Sequence, residues 1–198
     1  MDPKLYKRAL NLSYFTIIYN ICEGILSIIA GFLAGSISLI GFGLDSAVES
    51  FSAFIVLWRF KQHGKISEYE EEKIEKRALK YIGYAFLILG IYILYESLKK
   101  FYMAEISEPS IFGIIIAIAS IIIMPILFYM KYQTGKEINS NSLVADSKQT
   151  LACAFLSFAL LFGLLMNYIY GLWQSDPLIG ILIAIYLFKE GYEILSEK

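Results

Sequence analysis

Apolar residues in this chain gather into runs of about twenty, the length a helix needs to cross a hydrocarbon core, with short polar segments between them. Six such spans are expected, at roughly residues 11–33, 36–58, 80–98, 110–130, 143–166 and 176–195. Only Ala34-Gly35 separates the first two, which predicts a tight helical hairpin. The longest polar connection, about residues 60–79, is expected to continue the third helix beyond the membrane. The first run exceeds the 7–15 apolar residues of a secretory leader and has no small-residue cleavage pattern, so it reads as a span. Composition agrees: 58% of residues are hydrophobic and mean hydropathy is +0.61. The expected architecture is an all-α polytopic membrane protein, a single transmembrane domain over residues 1–198.

Charge supplies orientation. The amino terminus (Lys4, Lys7, Arg8), the 59–80 connection, the 131–148 connection (Lys131, Lys136, Lys148) and the tail (Lys189, Lys198) hold fifteen of the 17 basic residues. Lys99 and Lys100 stand alone on the other side. By the positive-inside rule both termini are cytoplasmic, in keeping with an even number of spans in the cell membrane. The net charge of −1 hides this asymmetry and points to no nucleic-acid partner. The acidic and basic run "EYEEEKIEKRALK" reads as a solvated segment. Cys22 and Cys153 both fall within spans, so no disulfide scaffold organises the chain.

Against this apolar background, carboxylates inside spans call for an explanation, because each costs several kcal/mol unless paired or neutralised. Asp45 and Glu49 stand four residues apart, on one face of the second helix, with no Lys or Arg beside them in the sequence. On the fifth helix "ADSKQTLAC" places Asp146, Gln149 and Cys153 along one stripe. At about 1.5 Å of rise per residue, Asp45 lies about 13.5 Å and Glu49 about 19.5 Å below the outer edge. From the inner edge, Cys153 lies about 15 Å, Gln149 about 9 Å and Asp146 about 4.5 Å up the fifth helix. Asp45 therefore matches the level of Cys153, and Glu49 that of Gln149. If the helices touch, two carboxylates, a thiol and an amide form a box near the midplane, with Asp146 a turn nearer the cytoplasm. Carboxylate oxygens with a thiolate suit a small, borderline-soft dication such as Zn²⁺. Metal and protons compete for the same atoms, which provides a coupling device.

At these residues the sequence resembles the cation diffusion facilitator family. The resemblance is carried by "GSISLIGFGLDSAVE" (Gly35–Glu49), "HGK" (His63–Lys65), "LVADSKQTLAC" (Leu143–Cys153) and "SDPLIGILIAIYLFKEG" (Ser175–Gly191). It implies a six-span divalent-metal/proton antiporter with its metal site between the second and fifth helices, no covalently bound cofactor, and a homodimeric assembly. Two departures stand out. Where zinc transporters of the family carry His-x-x-x-Asp on the fifth helix, this chain has Gln149 and Cys153. The cytoplasmic carboxy-terminal domain usual in the family does not follow the sixth span, so the chain resembles a truncated branch that includes small zinc-efflux membrane proteins of animals.

The expected metal site comprises Asp45, Glu49, Asp146, Gln149 and Cys153, and each has a plainer reading. Asp45 and Glu49 would otherwise be a polar pair satisfied by hydroxyl or backbone groups. Asp146 lies near enough to the interface to be a helix-start carboxylate. Cys153 would be a small buried apolar residue, and Gln149 a hydrogen-bond partner behind the ligands. Glu23, with Asn20 and Cys22 nearby, is a third buried cluster, read as a proton relay or as helix-packing glue. His63 reads as a solvated loop residue with metal loading as the alternative, and Asp176-Pro177 as a helix start without chemistry. Gly83 and Gly90 mark the third helix as a dimer face. A passive divalent cation channel is the competing function. An intramembrane aspartyl protease using Asp45 and Asp146 is disfavoured, since the acids lie about 12 Å apart in depth.

Overall fold

A computed structural model describes residues 3–62 and 67–196 of the protein. The described residues form six helices: α1 (Pro3–Ala34), α2 (Ile37–Gln62), α3 (Glu68–Met103), α4 (Ile111–Glu137), α5 (Asn141–Tyr170) and α6 (Ser175–Ser196). Each coincides with an expected span, and most run beyond it. The third helix does extend into the polar connection, starting at Glu68 behind the Ser67 cap. His63 lies outside the described residues.

Local chemistry sets the helix ends. Gly35 takes φ of +60°, a conformation that costs glycine little. The Ser36 amide reaches back to the Gly31 carbonyl at 2.8 Å and the Gly35 amide to that of Phe32 at 3.4 Å, which closes α1 in the usual glycine-terminated pattern. Ser110 and Ser140 cap α4 and α5, accepting from the amides of Gly113 at 3.0 Å and Leu143 at 3.3 Å.

The helices pack as three close pairs, α1 with α2, α3 with α6 and α4 with α5, and α2 is central, touching α1, α3, α5 and α6. The α1–α2 contact is tight because a Cβ on Gly43 would lie 2.8 Å from the Gly24 carbonyl oxygen. Phe42, Phe86, Ile93, Leu160, Ile183 and Leu187 fill the interior. Phe32, Ile88, Phe112, Phe155 and Tyr192 point outward, as helices whose backbone bonds are internally satisfied do in a hydrocarbon solvent.

Five of the helices, α1 to α5, are long and apolar enough to cross a membrane by length and composition. The sixth carries Asp176, Lys189, Glu190 and Glu193, which dilute its hydropathy, yet it lies antiparallel along α3 through the same depth. Gly180 meets Ser97, Gly90 meets Phe188, and a Cβ on Gly191 would lie 2.9 Å from the Gly83 carbonyl oxygen. The architecture is that of a polytopic membrane protein. The same contacts correct the expected dimer face: Gly83 and Gly90 are covered by Leu195 and Phe188 of α6, so their small size serves packing within one chain.

Candidate cation site

Helices α2 and α5 meet where their polar stripes face each other. Asp45 and Glu49 are 1% and 0% exposed. The Cys153 thiol donates to Asp45 Oδ2 at 3.0 Å, so the level match expected from helix rise is present as a contact. Glu49 is met by the neighbour of the expected residue: the Thr150 hydroxyl donates to Glu49 Oε1 at 2.7 Å. Gln149 is buried with its amide nitrogen unpartnered, as are Asp45 Oδ1 and Glu49 Oε2. Bare polar atoms in a dry interior are rare and ask for a ligand.

Asp146 stands apart from this pair of levels. Its Oδ2 is 2.8 Å from Lys131 Nζ, and its Oδ1 accepts from Ser52 at 3.5 Å. Lys131, expected in a cytoplasmic connection, is fully buried on α4, which continues to Glu137. Its ammonium also donates to Thr150 at 2.9 Å. Three polar residues therefore connect in series from Lys131 through Thr150 to Glu49. Through Thr150, Glu49 is thus connected to a cation that spacing along the sequence did not indicate. Among the described residues no three His, Cys, Asp or Glu side chains converge closely enough to hold a metal. Asp146 is held aside by Lys131, and Thr150 stands against Glu49. Asp45 and Asp146, one bonded to a thiol and the other to an ammonium, share no contact of the kind an aspartyl protease needs.

Sequence reasoning missed Lys131 and Thr150, although a trace of both was present. Ser120, Met124, Leu127, Lys131 and Thr134 form one buried face of α4, so the helical period runs on through the lysine. Thr150 follows Asp146 by four residues and precedes Cys153 by three, a stripe as good as the one drawn through Gln149.

Two further polar clusters flank the site. Glu23 accepts from Tyr19 and from Ser46, each at 2.9 Å, beside Asp45 in the chain. The Ser157 hydroxyl joins α5 to Ser120 of α4 at 2.8 Å. Asn20 is buried with both amide atoms unpartnered. At the opposite end Asp176 does more than start α6. It accepts from the amides of Ile37 at 3.0 Å and Ser38 at 3.3 Å, capping α2 from another helix, and from the hydroxyls of Ser36, Ser38 and Ser107. Lys100 Nζ lies 2.9 Å away and also donates to the Gly35 carbonyl. Cys22 is exposed and unpaired, and Cys153 is buried and unpaired.

Membrane-length helices thus enclose acids, a thiol and a lysine. The chain matches the cation efflux transmembrane domain over residues 13–198, and it belongs to that family. It is 25% identical over 192 residues to transmembrane protein 163 of Xenopus laevis, covering 96% of this chain and 67% of that protein. It is 27% identical over 183 residues to an uncharacterised transporter of Methanocaldococcus jannaschii, covering 90% and 64%. It is 22% identical over 198 residues to the cadmium, cobalt and zinc/H⁺-K⁺ antiporter of Bacillus velezensis, covering 97% and 61%. The chain thus spans about two thirds of the length of these relatives. Members of the family are transporters rather than enzymes, so this is an integral, multi-pass cation transport protein.

Proposed function

We propose that the protein is a proton-coupled exporter of divalent transition metal, with Zn²⁺ as its cargo, that carries the ion outward across the cell membrane by alternating access. The observation that carries this reading is the buried contact between the Asp45 carboxylate and the Cys153 thiol, with Glu49 one turn away and an unpartnered oxygen on each acid. Acids one helical turn apart have Cβ atoms about 5–6 Å apart, a gap that an ion with bonds of about 2.0–2.3 Å can bridge. Asp45, Glu49 and Cys153, which converge less closely than a metal requires in this structure, close around the ion as it binds, and Gln149 assists through its amide oxygen. Entry of the dication expels the thiol proton, and protons arriving from outside release the metal by competing for the carboxylates. The cadmium, cobalt and zinc antiporter among the relatives supports both the ion class and the coupling.

The protein works as a homodimer. With Gly83 and Gly90 buried, the surface of α3 free for a partner is the exposed stripe Tyr84, Ile88, Ile91, Tyr95 and Leu98, whose steps of four and three suit a left-handed helix seam.

Flux in reconstituted vesicles tests the reading. Zn²⁺ and Cd²⁺ are expected to move faster than Mn²⁺, and an imposed pH gradient is expected to accelerate them. Zn²⁺ flux indifferent to the gradient indicates a passive channel, and absence of flux for all three ions ends the proposal.

A further inference from the structure

The seam between α1 and α4 carries two grooves on the outside of the bundle, one beside the start of α1 and one beside its end, and they differ at their rims. The groove beside the start has a volume of about 670 Å³. Its walls are apolar, with Phe15 of α1 facing Ile123, Ile126 and Met130 of α4. Phe15 and Ile126 are 51% and 56% exposed, as residues that meet lipid are. Its rim is basic, formed by Lys7 and Arg8, with Lys4 one turn further out. Among the described residues no carboxylate pairs with Lys7 or Arg8. The groove beside the end of α1 is of similar size, about 700 Å³, and also has apolar walls, yet Glu108 is the one charged residue that lines it among those described.

We infer that the groove beside the start of α1 binds one anionic phospholipid, with its phosphate against Lys7 and Arg8 and an acyl chain along Phe15, Ile126 and Met130. The lengths fit. Lys4 and Phe15 stand eleven residues apart, about 16.5 Å of helix, close to half of a hydrocarbon core about 30 Å thick. The groove therefore runs from headgroup level to the midplane, the extent of one leaflet. The charges fit as well: a phosphate supplies the anion that these two cations lack within the protein, and each Lys or Arg at the membrane surface strengthens the hold on anionic lipid by about fivefold. Glu108 repels the same headgroup at the other groove, so the two ends of one seam are told apart by the charge at the rim. A soluble acidic partner would reach the rim and leave the apolar walls uncovered, whereas a lipid satisfies both. The inference does not depend on the metal reading, because no residue of the groove belongs to α2 or α5.

The test is native mass spectrometry of the full chain from detergent micelles, titrated with phosphatidylglycerol or with phosphatidylcholine of the same acyl chains. The wild-type protein is expected to hold one phosphatidylglycerol about tenfold or more tightly than phosphatidylcholine. Lys7→Gln/Arg8→Gln is expected to erase this preference, and Lys7→Arg/Arg8→Lys to keep it. Lys136→Gln removes a charge near the end of α4, outside the groove, and is also expected to keep it. Ile126→Trp fills the groove without touching the rim and is expected to weaken phosphatidylglycerol binding, with Ile126→Phe in its place if the tryptophan variant does not fold. Equal affinity for the two lipids, or a preference that survives Lys7→Gln/Arg8→Gln, overturns the inference. So does a preference lost as fully in Lys136→Gln, which marks diffuse surface charge, or an affinity untouched by filling the groove. Displacement of the lipid by glycerol phosphate at equal concentration would make this a site for a soluble anion, and a dimer whose formation expels the lipid would give the groove to a second copy of the chain; either result also overturns it.

Discussion

Among the described residues two lysine–aspartate pairs are buried, one near each end of the bundle, and they differ in how completely their surroundings satisfy them. At the end where α2 and α6 begin, the outer one by the expected orientation, Asp176 pairs with Lys100 and also accepts from three serine hydroxyls and two backbone amides. Both carboxylate oxygens are fully used, and the groups involved come from α2, α3, α6 and the segment before α4. At the inner end Lys131 and Asp146 join only α4 and α5. The acids above them, Asp45 and Glu49, each keep one oxygen without a partner. A saturated buried carboxylate has nothing left to offer a ligand, and its loss leaves a cation stranded. An unsaturated one is costly to keep in a membrane interior and is retained where something binds it. The outer cluster is therefore a joint, and the inner one a site.

The largest effect that separates the two regions is on transport. Asp45→Ala and Glu49→Ala are each expected to abolish flux, by more than about a hundredfold, since each removes a proposed metal ligand. Thermal unfolding in lipid-like detergent is expected to show little loss, because a buried acid without a full set of partners stabilises little. Wild-type flux in Asp45→Ala would remove the inner site from the account.

The next effect belongs to the joint. Asp176→Ala strands Lys100 and uncaps α2, and is expected to cost about 3–5 kcal/mol of stability. The same unfolding measurement checks it, and a midpoint equal to wild type would show that the outer cluster is not a structural tie. Glu96 and Lys99, a lysine–carboxylate pair at 3.4 Å on the surface of α3, provide the contrast: Lys99→Ala is expected to leave the midpoint where it was.

How much of this was legible in the sequence depends on how local the determinants are. Helix positions followed from runs of apolar residues, and the Asp45–Cys153 contact followed from rise per residue along two helices whose entry points could be read. The partners of Asp176 lie 138 residues away on α2, 140 residues away at Ser36 just before α2, and 76 residues away on α3, and neither spacing nor capping rules reach so far. Lys131 was hidden by a different cause. A lysine after an apolar run normally marks the membrane edge, and only the continued α4 period, together with a carboxylate on the neighbouring helix, reveals that it turns inward. Gly83 and Gly90 show the reverse error, in which small residues at helical spacing were legible as an interface but not as one within the same chain.

A finer effect sharpens the chemistry of the inner site. Cys153→Asp replaces a soft ligand by a hard one and is expected to move the Cd²⁺ to Mn²⁺ flux ratio toward Mn²⁺ by about tenfold. Cys153→Ser is expected to weaken Cd²⁺ more than Mn²⁺. Competition flux assays measure both, and a ratio unmoved by either substitution would reduce Cys153 to packing.

The central claim is that metal binds where the Asp45 carboxylate meets the Cys153 thiol, and X-ray absorption of the Zn²⁺-loaded protein tests it most directly. The account predicts one sulfur neighbour at about 2.3 Å beside oxygen neighbours at about 2.0–2.2 Å, with the sulfur lost in Cys153→Ser. A shell of oxygen and nitrogen alone in the wild-type protein, unchanged by Cys153→Ser, would contradict it.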